Sequence, residues 1–258
     1  MATFLKKGEK PFRIVRAKAR GPCIIVCDHA SHAIPQAFRK TFGVPKKELM
    51  THAGVDIGAA ALSRDISRRL NTPAVLATFS RLFIEMNRPP VHAQSIQRES
   101  HGIKIPGNAK LTRAQRKERV DTLFWPYQYA VTAQVNRFLS EGRMPFQLYV
   151  HSFTPEPLYG KKRPWHAGIL WNAHNKRESQ AFIRNLKKQN PRLVIGSNQP
   201  YSLDPEDPLP HFTAVHHGEK RDLPYIFIEV RNDQIDTPAK AARWGRIIVR
   251  ALAGVLPA

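Results

Sequence analysis

Histidine and carboxylate side chains come at the ends of three short apolar runs in this sequence. His29, His151 and Glu229 each lie at or near the end of a run rich in β-branched and aromatic residues. Such runs predict buried strands, and open α/β sheets bind ligands at the carboxyl ends of their strands. We therefore expect the three side chains to meet. Two imidazoles and a carboxylate predict a zinc site with three protein ligands and a water in the fourth position.

The carboxylates of this candidate site also have structural explanations. Asp56 is the best candidate for the third ligand, but it lies near the start of a predicted helix, where an acid interacts favourably with the helix dipole. Glu229 follows four apolar residues, and a buried carboxylate needs a partner or a task. A salt bridge with Arg231 or another arginine is the alternative to a catalytic role, and spacing alone does not decide between them.

The elements that must position these residues alternate along the chain. Strand, helix and strand over the first eighty residues predict a parallel βαβ unit. Apolar residues recur at helical spacing over 51–70, with Thr51 as a candidate N-cap. The polar segment 92–111 is interpreted as a loop excursion. The other predicted helices are 36–42, 112–139, 177–189 and 237–252, and the other predicted strands are 74–79, 146–150, 167–171, 193–195 and 225–230.

The alternation favours one α/β domain over residues 1–258, with helices on both faces of the sheet and residues 1–20 as a basic N-terminal arm. The hydrophobic fraction of 42% allows a sizeable core. No apolar stretch approaches the ~20 residues of a membrane helix, and no signal peptide is recognisable. Two cysteines in one predicted strand argue against a disulfide framework, so we expect a cytoplasmic protein without a membrane partner.

The charge of the chain is strongly positive. Lys and Arg number 41 against 20 acidic residues, a formal charge of +21. This can favour nucleic acid, an anionic membrane or an anionic substrate. The basic residues are spread along the chain, and the aromatic residues are not interleaved with them in a nucleic-acid motif. The sequence therefore argues against nucleic acid as the main partner, and a non-catalytic anion or nucleic-acid binder remains as an alternative.

Several longer motifs share one order along residues 20–250. They are Cys27-Asp28-His29-Ala30-Ser31, Val55-Asp56-Ile57-Gly58-Ala59, Ser80-Arg81-Leu82, Asn87-Arg88-Pro89-Pro90, His151-Ser152-Phe153-Thr154-Pro155 and Glu229-Val230-Arg231-Asn232-Asp233. Together they resemble the N-formylglutamate amidohydrolase family, in its predicted-hydrolase branch. Three positions, His32, Glu85 and His101, depart from the family pattern, which has a small polar residue, an aspartate and an acid there.

The resemblance implies a fold similar to zinc carboxypeptidases and aminoacylases, a mixed, mostly parallel sheet sandwiched by helices. It implies hydrolysis of the amide bond of an N-formyl or N-acyl acidic amino acid. His29 and His151 match the metal histidines of the family, Asp56 its acidic position, and Glu229 the general base. One zinc ion per chain, or another divalent metal, is expected as cofactor.

The expected substrate is a small anion. Arg81, Arg88 and Arg231 are candidates to clamp its carboxylates, because a guanidinium fork matches a carboxylate in a bidentate pair. Asn87 and Ser152, which lie in the matched motifs, are expected to contact it as well. A basic field would speed the capture of such a substrate. The sequence does not fix the acyl group, the amino acid or the oligomeric state.

A second enzyme class stays open. Cys27 is predicted to lie on the same face of its strand as His29, and a Cys–His pair can catalyse hydrolysis of a substrate without a metal. We favour the interpretation of Cys27 as a small buried hydrophobic residue. Serine hydrolysis is disfavoured because the chain has no Gly-x-Ser-x-Gly motif.

Overall fold

The computed structural model describes residues 4–158, 160–203 and 211–256. The strands in these ranges are β1 (Phe12–Val15), β2 (Cys23–Cys27), β3 (Ala74–Ala77), β4 (Glu99–Ser100), β5 (Ile103–Lys104), β6 (Phe146–Phe153), β7 (Ala167–Leu170), β8 (Ile195–Ser197) and β9 (Tyr225–Arg231). Seven of them form one sheet in the order β1-β3-β2-β6-β9-β7-β8, and β4 and β5 form a separate hairpin.

The helices of the described residues are α1 (Lys46–Leu49), α2 (Ala59–Leu70), α3 (Pro106–Ala109), α4 (Arg113–Arg119), α5 (Trp125–Ser140), α6 (Lys176–Gln189), α7 (Phe212–His217) and α8 (Pro238–Ala251). A π-helical turn joins α4 to α5, so the two run on as the long helix predicted over 112–139. Thr112 starts it with a capping box to Gln115, which satisfies two backbone donors. Among the described helices, none combines the length and apolar character needed to cross a bilayer.

The sheet is mixed and mostly parallel. Strands β3, β2, β6 and β9 are parallel to one another in sheet order, and β8 is parallel to β7. The two antiparallel joins are β1 with β3 and β7 with β9. Helices cover both faces, which confirms the predicted α/β class. Because the four central strands point the same way, the residues that follow them gather at one edge.

Two apolar layers hold the helices to the sheet. One lies under α2, α6 and α8, and the other lies under α5 and α7. All five residues of β2 have no exposed surface, as a strand covered on both faces requires. Alternate residues of that strand supply the two layers, since Ile24 belongs to one cluster and Ile25 to the other.

Two sequence predictions about local structure are corrected at the N-terminal side. The arm predicted over residues 1–20 contains the edge strand β1, which pairs with β3. The arm has too few apolar residues for an alternating pattern to indicate this strand in the sequence. The predicted helix 51–70 begins only at Ala59, and Thr51 is not its N-cap. Its first residues instead form a separate turn, so Asp56 precedes the helix.

Two loop predictions also change. The excursion 92–111 contains the hairpin β4–β5 and the short helix α3, and the predicted strand 193–195 lies at 195–197. Four prolines within 198–213 predict a loop over that range, but α7 already begins at Phe212. Residues 204–210 of that loop lie outside the described residues.

The turn before α2 depends on Gly58. This residue has φ +82°, in the left-handed region, and a Cβ added to it would lie 2.2 Å from the Ile235 carbonyl oxygen. We expect Gly58→Ala to lower the free energy of unfolding by more than about 2 kcal/mol. Gly142→Ala is the matched control, because φ is +67° there but no atom lies within 4 Å. Denaturant unfolding that shows equal losses would contradict a close packing role for Gly58.

Candidate active site

The predicted site residues meet at the carboxyl edge of the central strands. His29 follows β2, and His151 lies in β6 opposite Glu229 of β9 in the parallel register. Asp56 reaches them from the turn before α2, where its backbone N–H donates to the His29 carbonyl over 3.1 Å. The structure therefore brings together the four side chains for which the sequence predicted metal binding and base catalysis.

Three ring and carboxylate atoms converge at the centre of this cluster. The Oδ2 atom of Asp56 lies 3.2 Å from His29 Nδ1 and 2.9 Å from His151 Nδ1, and the two nitrogens are 3.2 Å apart. All three residues are at most 3% exposed. Atoms with these separations can all lie about 2 Å from one point, the bond length that zinc prefers with nitrogen and oxygen. The cluster could therefore hold a metal ion.

Each histidine is backed by a second buried carboxylate. Glu85 Oε1 lies 2.5 Å from His29 Nε2, and Arg81 Nη2 holds the same carboxylate at 2.7 Å. Asp28 Oδ2 lies 3.3 Å from His151 Nε2, and its Oδ1 accepts a hydrogen bond from Tyr127 Oη at 2.7 Å. Carboxylates behind metal-binding histidines orient the ring and leave the inner nitrogen free of a proton.

The buried groups of the cluster shift one another's pKa values toward their charged forms. Burial raises the pKa of Asp56, but His29 and His151 hold it well below its ordinary value. Burial likewise opposes ionisation of Glu85, whose pKa Arg81 and His29 keep low. For His151, burial is outweighed by Asp28 and Asp56, which raise its pKa to about 10. The metal-free cluster therefore carries protons that a bound cation would displace.

Glu229 differs from the other carboxylates in the site. It is 6% exposed and, unlike Asp28 and Asp56, it forms no ion pair with a described residue; its Oε2 atom has no hydrogen-bond partner there either. Burial raises its pKa to about 7, only partly opposed by the charge of His151. A carboxyl group with this pKa exchanges protons readily near neutral pH, as general acid–base catalysis requires.

A cavity of about 540 Å³ opens from the cluster. It is lined by the four cluster residues and by Arg81, Asn87, Arg88 and Ser152 of the predicted substrate contacts. Arg231 does not line it. The Arg231 guanidinium lies against Asp233 at 2.8 Å and donates to the Arg163 carbonyl at 3.1 Å. The predicted substrate role of Arg231 therefore has no support from its position.

Several of the predicted substrate contacts also hold the site together. The Ser152 backbone N–H donates to Asp56 Oδ2 at 3.2 Å, and its hydroxyl donates to the Ile57 carbonyl at 3.0 Å. The Asn87 side-chain oxygen accepts the backbone N–H of Thr213. These bonds fix the Asp56 turn and the start of α7 around the cavity.

The structure adds residues to the cavity wall that the sequence did not assign. His52 and His101 pack edge to face, with ring centroids 6.0 Å apart, and His211 packs on Phe227. Burial lowers the pKa of His52 to about 4 and that of His211 to about 3. Nothing in the sequence context of His52 or His211 separates them from the other histidines of the chain, and His101 stood out only as a departure from the family pattern. Tyr127 likewise gives no signal, because it lies in a helix 99 positions after Asp28.

The thiol alternative has an unfavourable geometry. Cys27 has no exposed surface and lies in the apolar layer under α2, outside the cavity lining. Burial raises the pKa of its thiol further above the ordinary value. A reactive cysteine instead needs partial exposure and a lowered pKa. The interpretation of Cys27 as a buried hydrophobic residue fits this position.

An α/β fold, a buried cluster that could hold a metal ion and a neighbouring carboxyl with a raised pKa together outline a hydrolase. The model of the N-formylglutamate amidohydrolase family matches residues 21–235. The chain belongs to this family, which confirms the resemblance in its motifs and indicates an N-formylglutamate amidohydrolase-like hydrolase.

Two solved structures share the fold. The gene product Atu2144 of Agrobacterium tumefaciens is 30% identical over 98% of this chain and 97% of its own, with a TM-score of 0.90. An N-formylglutamate amidohydrolase from Ralstonia eutropha is 17% identical over 96% of this chain and 97% of its own, with a TM-score of 0.70. The second likeness shows the fold alone. None of the curated proteins matches the sequence.

The raised pKa of Glu229 predicts a pH-dependent effect on stability. The ordinary pKa is 4.5 and the folded value about 7, so the ionised carboxylate destabilises the fold above pH 7, and this effect vanishes below pH 4.5. We expect Glu229→Gln to raise the free energy of unfolding of the metal-free protein by roughly 1–3 kcal/mol at pH 8, and little at pH 4.

Urea unfolding at the two pH values measures this effect. Glu118→Gln, at an exposed position of α4, is the control and should change stability little at either pH. A Glu229→Gln protein that is less stable than the parent at pH 8 would contradict the raised pKa.

Proposed function

We propose that this protein hydrolyses the amide bond of an N-formyl or N-acyl acidic amino acid in a metal-dependent reaction. The observation that carries the proposal is the convergence of His29, Asp56 and His151 beside Glu229, in the lining of a cavity. Membership of the N-formylglutamate amidohydrolase family supports the same reaction class.

The cluster suits zinc, because two nitrogens and one oxygen are a common donor set of catalytic zinc sites. One ion per chain would be held by His29, Asp56 and His151, although the same donors accept other divalent metals. When bound, the metal lowers the pKa of water and polarises a carbonyl oxygen. The carboxylates Glu85 and Asp28 would keep the two rings in the orientation that binding needs.

Glu229 would move the proton during hydrolysis. Its ionised carboxylate takes a proton from the attacking water as the oxygen adds to the amide carbon. When the carbon–nitrogen bond breaks, the same group returns the proton to the leaving amine. The products are a carboxylic acid and an amino acid, so water is consumed and Glu229 ends in its starting state. Its raised pKa favours both transfers near neutral pH.

The arginines that line the cavity favour a negatively charged substrate. Arg81 is held by Glu85 and lies 3.5 Å from Asp56, so its charge is largely balanced by the chain itself. Arg88, which also lines the cavity, is a second candidate to bind a substrate carboxylate. The positive field of the chain would raise the capture rate of such an anion.

A cytoplasmic location fits the two free, buried cysteines.

Amidase assays with metal analysis test this proposal. We expect about one zinc ion per purified chain, and hydrolysis of N-formyl-glutamate or N-acetyl-glutamate that is faster than that of the leucine analogues. A chelator should abolish activity, and added zinc should restore it. Glu229→Gln should keep the metal but reduce kcat by about 10²–10⁴-fold. Full activity in chelator, or normal turnover of Glu229→Gln, would overturn the mechanism.

The thiol alternative is decided in the same assay. Cys27→Ala should leave turnover within a few-fold of the parent, because its thiol lies outside the cavity. Chelator-resistant activity that disappears in Cys27→Ala would support the Cys–His hydrolase instead.

The carboxylate behind His151 should tune metal affinity. Tyr127→Phe removes the hydroxyl that holds Asp28, so we expect the zinc dissociation constant to rise several-fold, measured by competition with a chromophoric chelator. Tyr149→Phe is the matched control, because Tyr149 is equally buried but its hydroxyl donates to Gln147 instead. Equal zinc affinities of the two variants would mean that Tyr127 acts on stability alone.

A further inference from the structure

One helix layer of the protein carries an excess of positive charge. Helices α2, α6 and α8 pack side by side on the same apolar layer of the sheet. Their sequences contain twelve Lys or Arg residues and two acidic residues, Asp65 and Glu178. We call the outer surface formed by these cations the basic face. Although the cations are dispersed between residues 64 and 250, the fold gathers them on one side of the molecule.

Few carboxylates balance this charge. The paired cations of the basic face are Arg68 and Arg69 with Asp65, Arg177 with Glu178, and Lys240 with Asp236. The cations for which the described residues contain no ion pair are Arg64, Lys176, Arg184, Lys187, Lys188, Arg243, Arg246 and Arg250. None of them lines the catalytic cavity. The proposed hydrolysis therefore gives this charge no local task.

A groove runs along α8 within the basic face. It has a volume of about 180 Å³ and is lined by Arg243, Arg246 and Arg250, with Asn190 and Ile247. The three arginines are spaced by three and four residues, so they stand one above the other on a single side of the helix. Like charges at this spacing destabilise a helix by a few tenths of a kcal/mol per pair. The negative charges of a bound polyanion would attract all three arginines and offset their mutual repulsion.

The chemistry of the face identifies the anion. Arginine predominates, and its guanidinium binds phosphate in a bidentate fork. None of the large apolar side chains exposed among the described residues belongs to α2, α6 or α8, so the face offers nothing to insert into a lipid layer. Trp244 of α8 is buried, so it provides no platform for unstacked bases. These features favour the phosphate backbone of a duplex.

We propose that the basic face binds double-stranded nucleic acid through its backbone, without regard to sequence. The helices α6 and α8 have 14 residues each and are about 21 Å long, the length of roughly six base pairs. This binding is independent of the proposed hydrolysis, because the face and the cavity share no residue. The sequence argued against nucleic acid because no basic run was present, and the packing of three helices supplies what a run would have supplied.

Fluorescence anisotropy with a 20-base-pair DNA duplex of arbitrary sequence tests the proposal. Affinity is measured from 50 to 300 mM NaCl for the intact chain and for the triple variant Arg243→Gln/Arg246→Gln/Arg250→Gln. Because each phosphate contact contributes about 0.9 to the slope of log affinity against log salt, we expect the triple variant to lose about 2–3 from that slope. Its affinity at low salt should fall at least tenfold, and its thermal unfolding should stay close to that of the parent.

The control removes the same charge elsewhere. Lys40→Gln/Lys46→Gln/Lys47→Gln changes exposed residues in a segment that packs on the opposite layer through Phe42 and Leu49. A slope retained in this control supports the basic face. Equal losses in both triple variants would show that only total charge matters and would overturn the proposal. Absence of duplex binding by the parent, or binding confined to phosphatidylserine vesicles, would overturn it as well.

Discussion

The parallel pairing of β2, β6 and β9 is the constraint on which the site depends. Because these strands are parallel and adjacent, His29 lies just after the end of β2, and His151 of β6 lies beside Glu229 of β9. The turn carrying Asp56 is tied to this edge by its own backbone bond to His29 and by Ser152. A shift of one residue in the β6 register would move His151 to the other face of the sheet, because side chains alternate along a strand. The cluster thus depends on register before it depends on any contact between its side chains.

Burial of so many ionisable groups is tolerated because each charge has a partner. Arg81 faces Glu85, the two histidines face Asp56, and Tyr127 supports Asp28. A buried pair contributes little net stability, but loss of one partner leaves an uncompensated charge. Glu229 is the exception, since among the described residues it has no ion pair and its Oε2 has no hydrogen-bond partner. Because the Glu229 carboxyl has no such partner, it stays available for proton transfer. Its burial without a partner lowers the stability of the folded protein.

The sequence predicted the parts of this account that depend on local pattern. Apolar runs located β2, β6 and β9, and the residues at their ends gave His29, His151 and Glu229. It placed Asp56 inside a helix because the apolar period continues through 51–58, whereas Gly58 turns the chain before α2. Tyr127 and His211 could not be found, since tertiary packing alone brings them to the site. The basic face is hidden for the same reason, because a linear count does not show which helices are neighbours.

Zinc-edge anomalous diffraction from crystals of the protein purified with zinc tests the central claim most directly. The account predicts one strong anomalous peak per chain, within bonding distance of His29 Nδ1, His151 Nδ1 and Asp56 Oδ2. No peak at full zinc loading, or a peak bonded to His52 and His101 in place of His29 and His151, would contradict it.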